Sequence, residues 1–236
     1  MKWSNNIRAV AALGAVIVAA GACDRSTAPH GLTPVRFRIA ASTAIPGASA
    51  GLLSANGPLE IATVQLVLGR AALGAGSEFG CHDCEGNFTD ETMAPTLVTL
   101  TAAEARVDVL TEPVSPGRYG AAELSLTPLP AGTTAGLRDA PAGTTMRVEG
   151  RFNGVPFRLD LAIDGTFRGA LVPPLDVSSG GASVTAAVTM RLPVDRWFAS
   201  SSGVLDPTKA ADRALIASNI RSSFAATEAE ASASER

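Results

Sequence analysis

Histidine, aromatic residues and excess positive charge are all scarce in this chain, and each scarcity closes off a class of chemistry. Two histidines occur, His30 and His82, both in loop-like sequence where neither makes a persuasive partner for a Ser-His-Asp site. No G-x-S-x-G or S-x-x-K motif accompanies them, and no Walker or dinucleotide glycine motif is present. The glycine-rich stretch Gly74–Gly80 has no helical pattern after it to receive a phosphate. Lys and Arg number 19 against 22 Asp and Glu, a formal net charge of −3, which argues against the basic patch that nucleic acid requires. Aromatic residues are 5% of a chain that is 46% hydrophobic, so the core has to be built from Val, Leu and Ile with a few Phe. Long apolar runs are missing as well. The longest, Ala9–Ala20, falls short of the roughly 20 residues a helix needs to cross a bilayer.

What that run does have is a context. Lys2 and Arg8 precede it without an acid, and small residues follow it, the parts of a secretory signal peptide. The break, Ala20-Gly21-Ala22-Cys23, resembles the lipobox of bacterial lipoproteins. That resemblance implies a diacylglyceryl group on the Cys23 sulfur, cleavage before it, and acylation of the new amine. Two or more acyl chains anchor a protein stably where one does not. The expected address is therefore the bacterial cell envelope, lipid-anchored to the inner or outer membrane, with the domain outside the cytoplasm. Asp24 follows the cysteine and leaves the choice of membrane open. Residues 1–22 are then signal peptide, and 23–34, polar with two prolines, a tether.

From Val35 the chain turns into short β-type runs divided by Gly, Pro, Ser and Thr: VRFRIA, IATVQLVL, TLVTL, RVDVL and YGAAELSL. Residues 127–145 read as a long irregular connection. The sharpest signal is strict alternation in TMRVEGRF, VPFRLDLAI and SVTAAVTMRL, with one face inward and one in water. Asn153-Gly154 between the first two is a strong hairpin signal. A two-residue loop there sets Phe152 by Val155, Val148 by Leu159 and Met146 by Leu161 on the inner face. Outside, it sets Glu149 opposite Arg158 and Arg147 opposite Asp160, both of opposite charge. Asp164-Gly165-Thr166 predicts a second, three-residue hairpin pairing Ile163 with Phe167 and Leu159 with Leu171. Farther on, Asp206 reads as an N-cap and Pro207 as a first helical residue. Ile216, Ile220 and Phe224, flanked by Leu215, form an apolar stripe at helical spacing. The expected fold is mainly β, an antiparallel β-sandwich of about eight or nine strands with a C-terminal amphipathic helix, or alternatively a β-barrel. Its domain spans 35–226 with the helix at 207–226, and 227–236 is expected to be a disordered tail.

GCHDCEGNFTDE is the one constellation that looks like chemistry. Cys81 and Cys84 read first as a disulfide, because paired thiols outside the cytoplasm oxidise. A thioredoxin-type site needs a helix after the first cysteine, and c-type haem needs His where Glu85 stands. His82, Asp83 and Glu85 are the candidates for a metal alongside the two cysteines. Asp90, Glu91 and Asn87 add oxygens, but Phe88 stands where a calcium loop needs Gly. No cofactor is expected. Tyr119, the only tyrosine, reads as an edge or core anchor, and Trp197 as a residue packed at a strand end, with sugar stacking as the lesser reading.

PGRYGAAELSL, MRVEGRFNGVPFRLDL, VDRWFASSSGVLDP and ALIASNIRSSFAA together resemble a group of uncharacterised bacterial β-sandwich lipoproteins. That group shares a V-E-G-x-x-N-G-x-P-F hairpin, a Trp-Phe before Leu-Asp-Pro and a closing Asn-Ile helix. The resemblance covers most of residues 60–225 and implies the address and a β-rich fold, without an activity. A more distant similarity is to β-sandwich companions of copper-associated dihaem enzymes, whose histidine ligands this chain lacks. The expectation is a lipid-anchored, non-catalytic binding or structural module. Its partners are the membrane and an envelope protein or ligand, not nucleic acid. The alternative is a metal-binding or redox accessory protein using the Cys81–Glu91 loop.

Overall fold

Period-two patterning becomes strand almost everywhere it occurs. The computed structural model describes residues 32–41, 54–75, 91–101, 103–128, 137, 139–178, 184–224 and 228–235. Among these the strands are β1 (Thr33–Ala41), β2 (Ser54–Asn56), β3 (Leu59–Ala75), β4 (Glu91–Thr101), β5 (Arg106–Val114), β6 (Gly117–Leu126) and β7 (Met146–Phe152). They continue with β8 (Val155–Leu161), β9 (Thr166–Val177), β10 (Val184–Leu192), the two-residue β11 (Ala199–Ser200) and β12 (Gly203–Val204), and β13 (Glu228–Glu235). One helix, α1 (Ala210–Ser223), precedes β13.

The protein is mainly β, as expected, and eleven of the described strands form one large curled sheet in the order β5-β1-β10-β13-β9-β6-β3-β7-β8, with β2 and β4 also paired to β3, while β11 and β12 pair with each other. The sheet is mixed rather than antiparallel. β1 runs parallel to β10, and β13 parallel to β9. Both parallel contacts join strands far apart in the chain, so no local turn signal announces them. β3 is the spine. Its first half pairs with β7 and its second with β6, and β4 lies along its other edge. The hand-over falls at Val67, whose N–H donates to Thr145 O and whose carbonyl accepts from the Thr127 N–H, both at 2.9 Å; a bulge at Gly69 follows, where a Cβ would lie 2.6 Å from Thr127 Cγ2. Inward faces from all the long strands share one aliphatic core, among them Val35, Phe37, Ile61, Leu66, Leu73, Leu124, Val148, Leu159, Val188 and Met190.

The Asn153-Gly154 hairpin forms in the expected register, Met146 opposite Leu161 through Phe152 opposite Val155. Positive φ at Asn153 (51°) and Gly154 (75°) gives the turn its type I′ geometry. Two details differ. Val155 at the tip is exposed, and the Arg147–Asp160 pair is not in water: Arg147 is 5% exposed and its Nε lies 2.6 Å from Asp160 Oδ1. Arg158 faces Glu149 in register but turns its guanidinium to Asp160, 3.5 Å away.

The second hairpin does not form. Phe167 pairs with Leu124 of β6, and β9 leaves β8 altogether. The reason lies in residues distant from the turn. Thr145 Oγ1 accepts from the Ile163 N–H and donates to the Ile163 carbonyl, both at 2.9 Å, while the Leu126 N–H donates to Gly165 O at 2.9 Å. These bonds carry the chain across to β6.

α1 starts at Ala210, three residues later than the Asp206 cap implies. Asp206 instead closes a turn by accepting from the Thr208 N–H (2.9 Å) and hydroxyl (2.6 Å). Ile216, Ile220 and Phe224 are buried as the stripe predicts, whereas Leu215 is exposed. The Phe224 ring sits on Gly165, where any Cβ would be 2.1 Å from Cε2, and meets Phe167 edge-on with centroids 4.2 Å apart. The segment expected to be a disordered tail is the strand β13, which lies between β10 and β9. Ala229 and Ala231 turn a small face to the core, and eight register pairs with β10 seat the strand.

Candidate functional site

The register of the strands decides which connections share an end of the molecule. Thr33, the start of β1, lies opposite Val114, the end of β5, and its hydroxyl donates to Ser178 O just past β9 at 2.9 Å. β6 begins there too, with Gly117 opposite Val177, and Ala75, the end of β3, lies opposite Tyr119. The start of β1 and the end of β3 therefore lie at the same end. Tyr119 pins that end: its buried ring turns the hydroxyl back onto Ser115 O at 2.8 Å, across the tight passage from β5 to β6. Burial pushes the phenol pKa up. The sequence reading of Tyr119 as an anchor agrees with this geometry.

The long connection 127–145 does not converge on that end. β6 ends with Leu126 opposite Leu68 and β7 begins with Met146 opposite Leu66. It thus departs from the middle of β3, roughly 20 Å along the strand from Ala75.

The lipidation candidate Cys23, the thiols Cys81 and Cys84, and the metal candidates His82, Asp83 and Glu85 all lie outside the described residues. Among the described residues no group of three or more His, Cys, Asp or Glu is placed to hold a metal ion, and no helix is long and apolar enough to cross a membrane.

The described charges are organised as ladders across strands. Glu123 of β6, 3% exposed, lies between Arg168 of β9, whose Nη2 meets its Oε1, and Arg70 of β3, whose Nη1 is 3.8 Å from Oε2. A buried carboxylate is costly unless so paired. In YGAAELSL it looks like an ordinary water-facing residue, and only the flanking strands reveal otherwise. Asp160–Arg147 forms a second ladder beside Gln65 and Thr99, which are joined at 3.4 Å. On β1 and β5, Arg36 and Arg38 both meet Asp108, at 3.3 and 2.6 Å. Arg38, Glu104, Arg106, Val107 and Asp108 line an open depression of about 380 Å³ beside them. The charges of this depression are balanced and accessible to water, so it selects no ligand by sign.

Trp197 is fully buried, which removes the sugar-stacking reading and bears out the packing one. Asn219 Nδ2 donates to the carbonyls of Trp197 (3.0 Å) and Ala199 (2.8 Å), docking α1 onto the turn after β10. Phe198 packs at 6.2 Å from Phe157 of β8. The Trp-Phe and Asn-Ile elements are thus one structural clasp. The chain matches no known protein family, no curated protein and no solved structure.

Proposed function

We propose that the chain is a lipid-anchored protein of the bacterial cell envelope, held through Cys23, whose extracytoplasmic domain is a non-catalytic binding or structural module. One observation carries this reading. The residues that stand out in the sequence and lie in the described structure, namely Tyr119, Asn153-Gly154, Arg147, Asp160, Trp197 and Asn219, are engaged in closing turns, fixing register or docking the helix. They leave recognition to the connections, where function on such scaffolds usually lies. In this reading the sheet works as a β-sandwich. The layer β5-β1-β10-β13 faces the layer β9-β6-β3-β7-β8, which is supported by a shared core and by a lone bridging pair, Ala229 with Leu171.

The shared end of Thr33 and Ala75 gives the module an orientation. With Cys23 in the membrane, a tether of about ten residues extends at most roughly 35 Å. The end of the sheet at Thr33, Ala75 and Tyr119 then faces the anchoring bilayer, the partner is met near that surface, and Cys81 and Cys84 are read as a disulfide.

The test is labelling with a radioactive or clickable fatty acid. Label is expected in the wild type and absent from Cys23→Ser. Native, unreduced Cys23→Ser protein is expected to show almost no free thiol and no stoichiometric metal. Equal labelling of both proteins overturns the anchor. About one equivalent of tightly held zinc or copper per chain overturns the disulfide and makes the segment a metal site.

A further inference from the structure

β13 is the least strand-like strand of the molecule, yet it lies inside the sheet rather than at an edge. Its sequence, EAEASASE, contains no β-branched or aromatic residue, and Glu and Ala are depleted in strands. Eight register pairs, Val184 with Glu235 through Arg191 with Glu228, tie it antiparallel to β10, but one pair, Ala229 with Leu171, ties it to β9. Inward it offers alanines: Ala229 belongs to the core and Ala231 packs against it. Outward, Glu230 meets Arg191 at 2.7 Å, an accessible pair that guides register more than it holds the strand. The strand is held chiefly by its backbone. Backbone pairing is indifferent to which chain supplies the strand.

β10 makes the opposite contribution. Ala186, Val188 and Met190 are buried in the core, and one of its two edges is already taken by β1. Without β13 its other edge would be an open template beside apolar side chains, which recruits another strand.

We infer that the space between β10 and β9 is a strand-acceptor site, filled in cis by β13 and able to take the same segment of a second copy of the chain. An entering strand must run antiparallel to β10, put a small residue at the inward positions held by Ala229 and Ala231, and bring a carboxylate to Arg191. β13 itself has that pattern, so a second copy is the occupant that fits. Exchange of identical elements between protomers is a low-cost route to dimers. The connection that would act as hinge is short, from Ser223 at the end of α1 to Glu228, and short hinges favour exchange. This inference rests on the sheet and not on the lipid anchor.

The probe is a fluorescent peptide of residues 226–236, and the acceptor is the full chain carrying Ala229→Lys and Ala231→Lys, whose own strand cannot seat its inward side chains. The peptide is expected to bind this variant saturably, roughly tenfold or more tighter than the wild type, whose slot is filled at high effective concentration. The same peptide with the two lysines is expected not to bind. Equal uptake by both proteins, uptake of the lysine peptide, or no uptake by the folded variant overturns the site. Wild-type protein decides the matter where the variant does not fold. Two differently tagged populations, mixed at high concentration, warmed toward the unfolding midpoint and cooled, are expected to give mixed dimers, and their absence overturns the proposal.

Discussion

The indole Nε1 of Trp197 donates to Ser223 Oγ at 3.0 Å with both side chains buried, and Ser223 Oγ donates in turn to the Ile220 carbonyl at 2.7 Å. This relay joins the turn after β10 to the last turn of α1. Trp197→Phe removes the N–H and part of the ring, and is expected to cost about 2 kcal/mol in urea unfolding; Trp197→Ala should cost about 3–5 kcal/mol. In a double-mutant cycle with Ser223→Ala, a coupling of about 1 kcal/mol is expected. Independent, additive losses would show that the relay does not join the two elements.

Removing one partner of the Arg147–Asp160 pair leaves a nearly buried charge. Asp160→Asn is expected to destabilise by about 3 kcal/mol, whereas Arg158→Ala, whose accessible guanidinium is Asp160's second partner, should cost no more than about 1 kcal/mol. Similar losses from the two substitutions in chemical denaturation would mean that burial of Arg147 is not what makes the pair matter.

Two glycines separate a hard contact from a soft one. A Cβ at Gly150 would lie 2.0 Å from the Glu60 carbonyl oxygen, part of the β3 backbone inside the sheet, and one at Gly69 would lie 2.6 Å from Cγ2 and 2.8 Å from Cβ of Thr127, just past the end of β6, where the chain has more room to shift. Gly150→Ala is therefore expected to lower the thermal midpoint more than Gly69→Ala, by an overpacking cost of about 3 kcal/mol against about 1 kcal/mol. The reverse order would contradict the register between β3 and β7.

Tyr119 is the only tyrosine in the chain, so its ionisation can be followed in the ultraviolet without interference. Burial raises its folded pKa above the ordinary tyrosine value. A raised folded pKa means that the stability it contributes is fully present below the unfolded pKa and is lost as pH rises through the folded one. The native protein should titrate at higher pH than the unfolded chain, and stability should fall on the alkaline side alone as far as this group is concerned. Coincident titration curves would remove Tyr119 from its buried place at the β5–β6 passage.

What could be read from the sequence follows the range of the forces involved. The β7–β8 register was legible because Asn153-Gly154 and the paired charges lie within a few residues of one another. The β8–β9 turn misled because its fate is decided by Thr145, Leu126 and Phe224, which no local window contains. β13 was in principle legible, since Ala alternates with Glu or Ser from Glu228 to Ser234, but its weak strand propensity masked the period. The burial of Glu123 was invisible because β3 and β9 bring Arg70 and Arg168 to it from distant sequence. The shared end of Thr33 and Ala75 is likewise a product of strand order alone.

In the proposed function the sheet is scaffold and recognition belongs to the connection 76–90. Residues 76–90 replaced by a short Gly/Ser link, in the otherwise intact chain, test this directly through thermal unfolding and crosslinking in whole cells. A nearly unchanged midpoint and loss of the crosslinked partner are expected, while replacement of residues 129–138 keeps it. Retention of the partner after the 76–90 replacement, with loss on a sheet-face change such as Arg158→Glu, would contradict the account and place recognition on the strands.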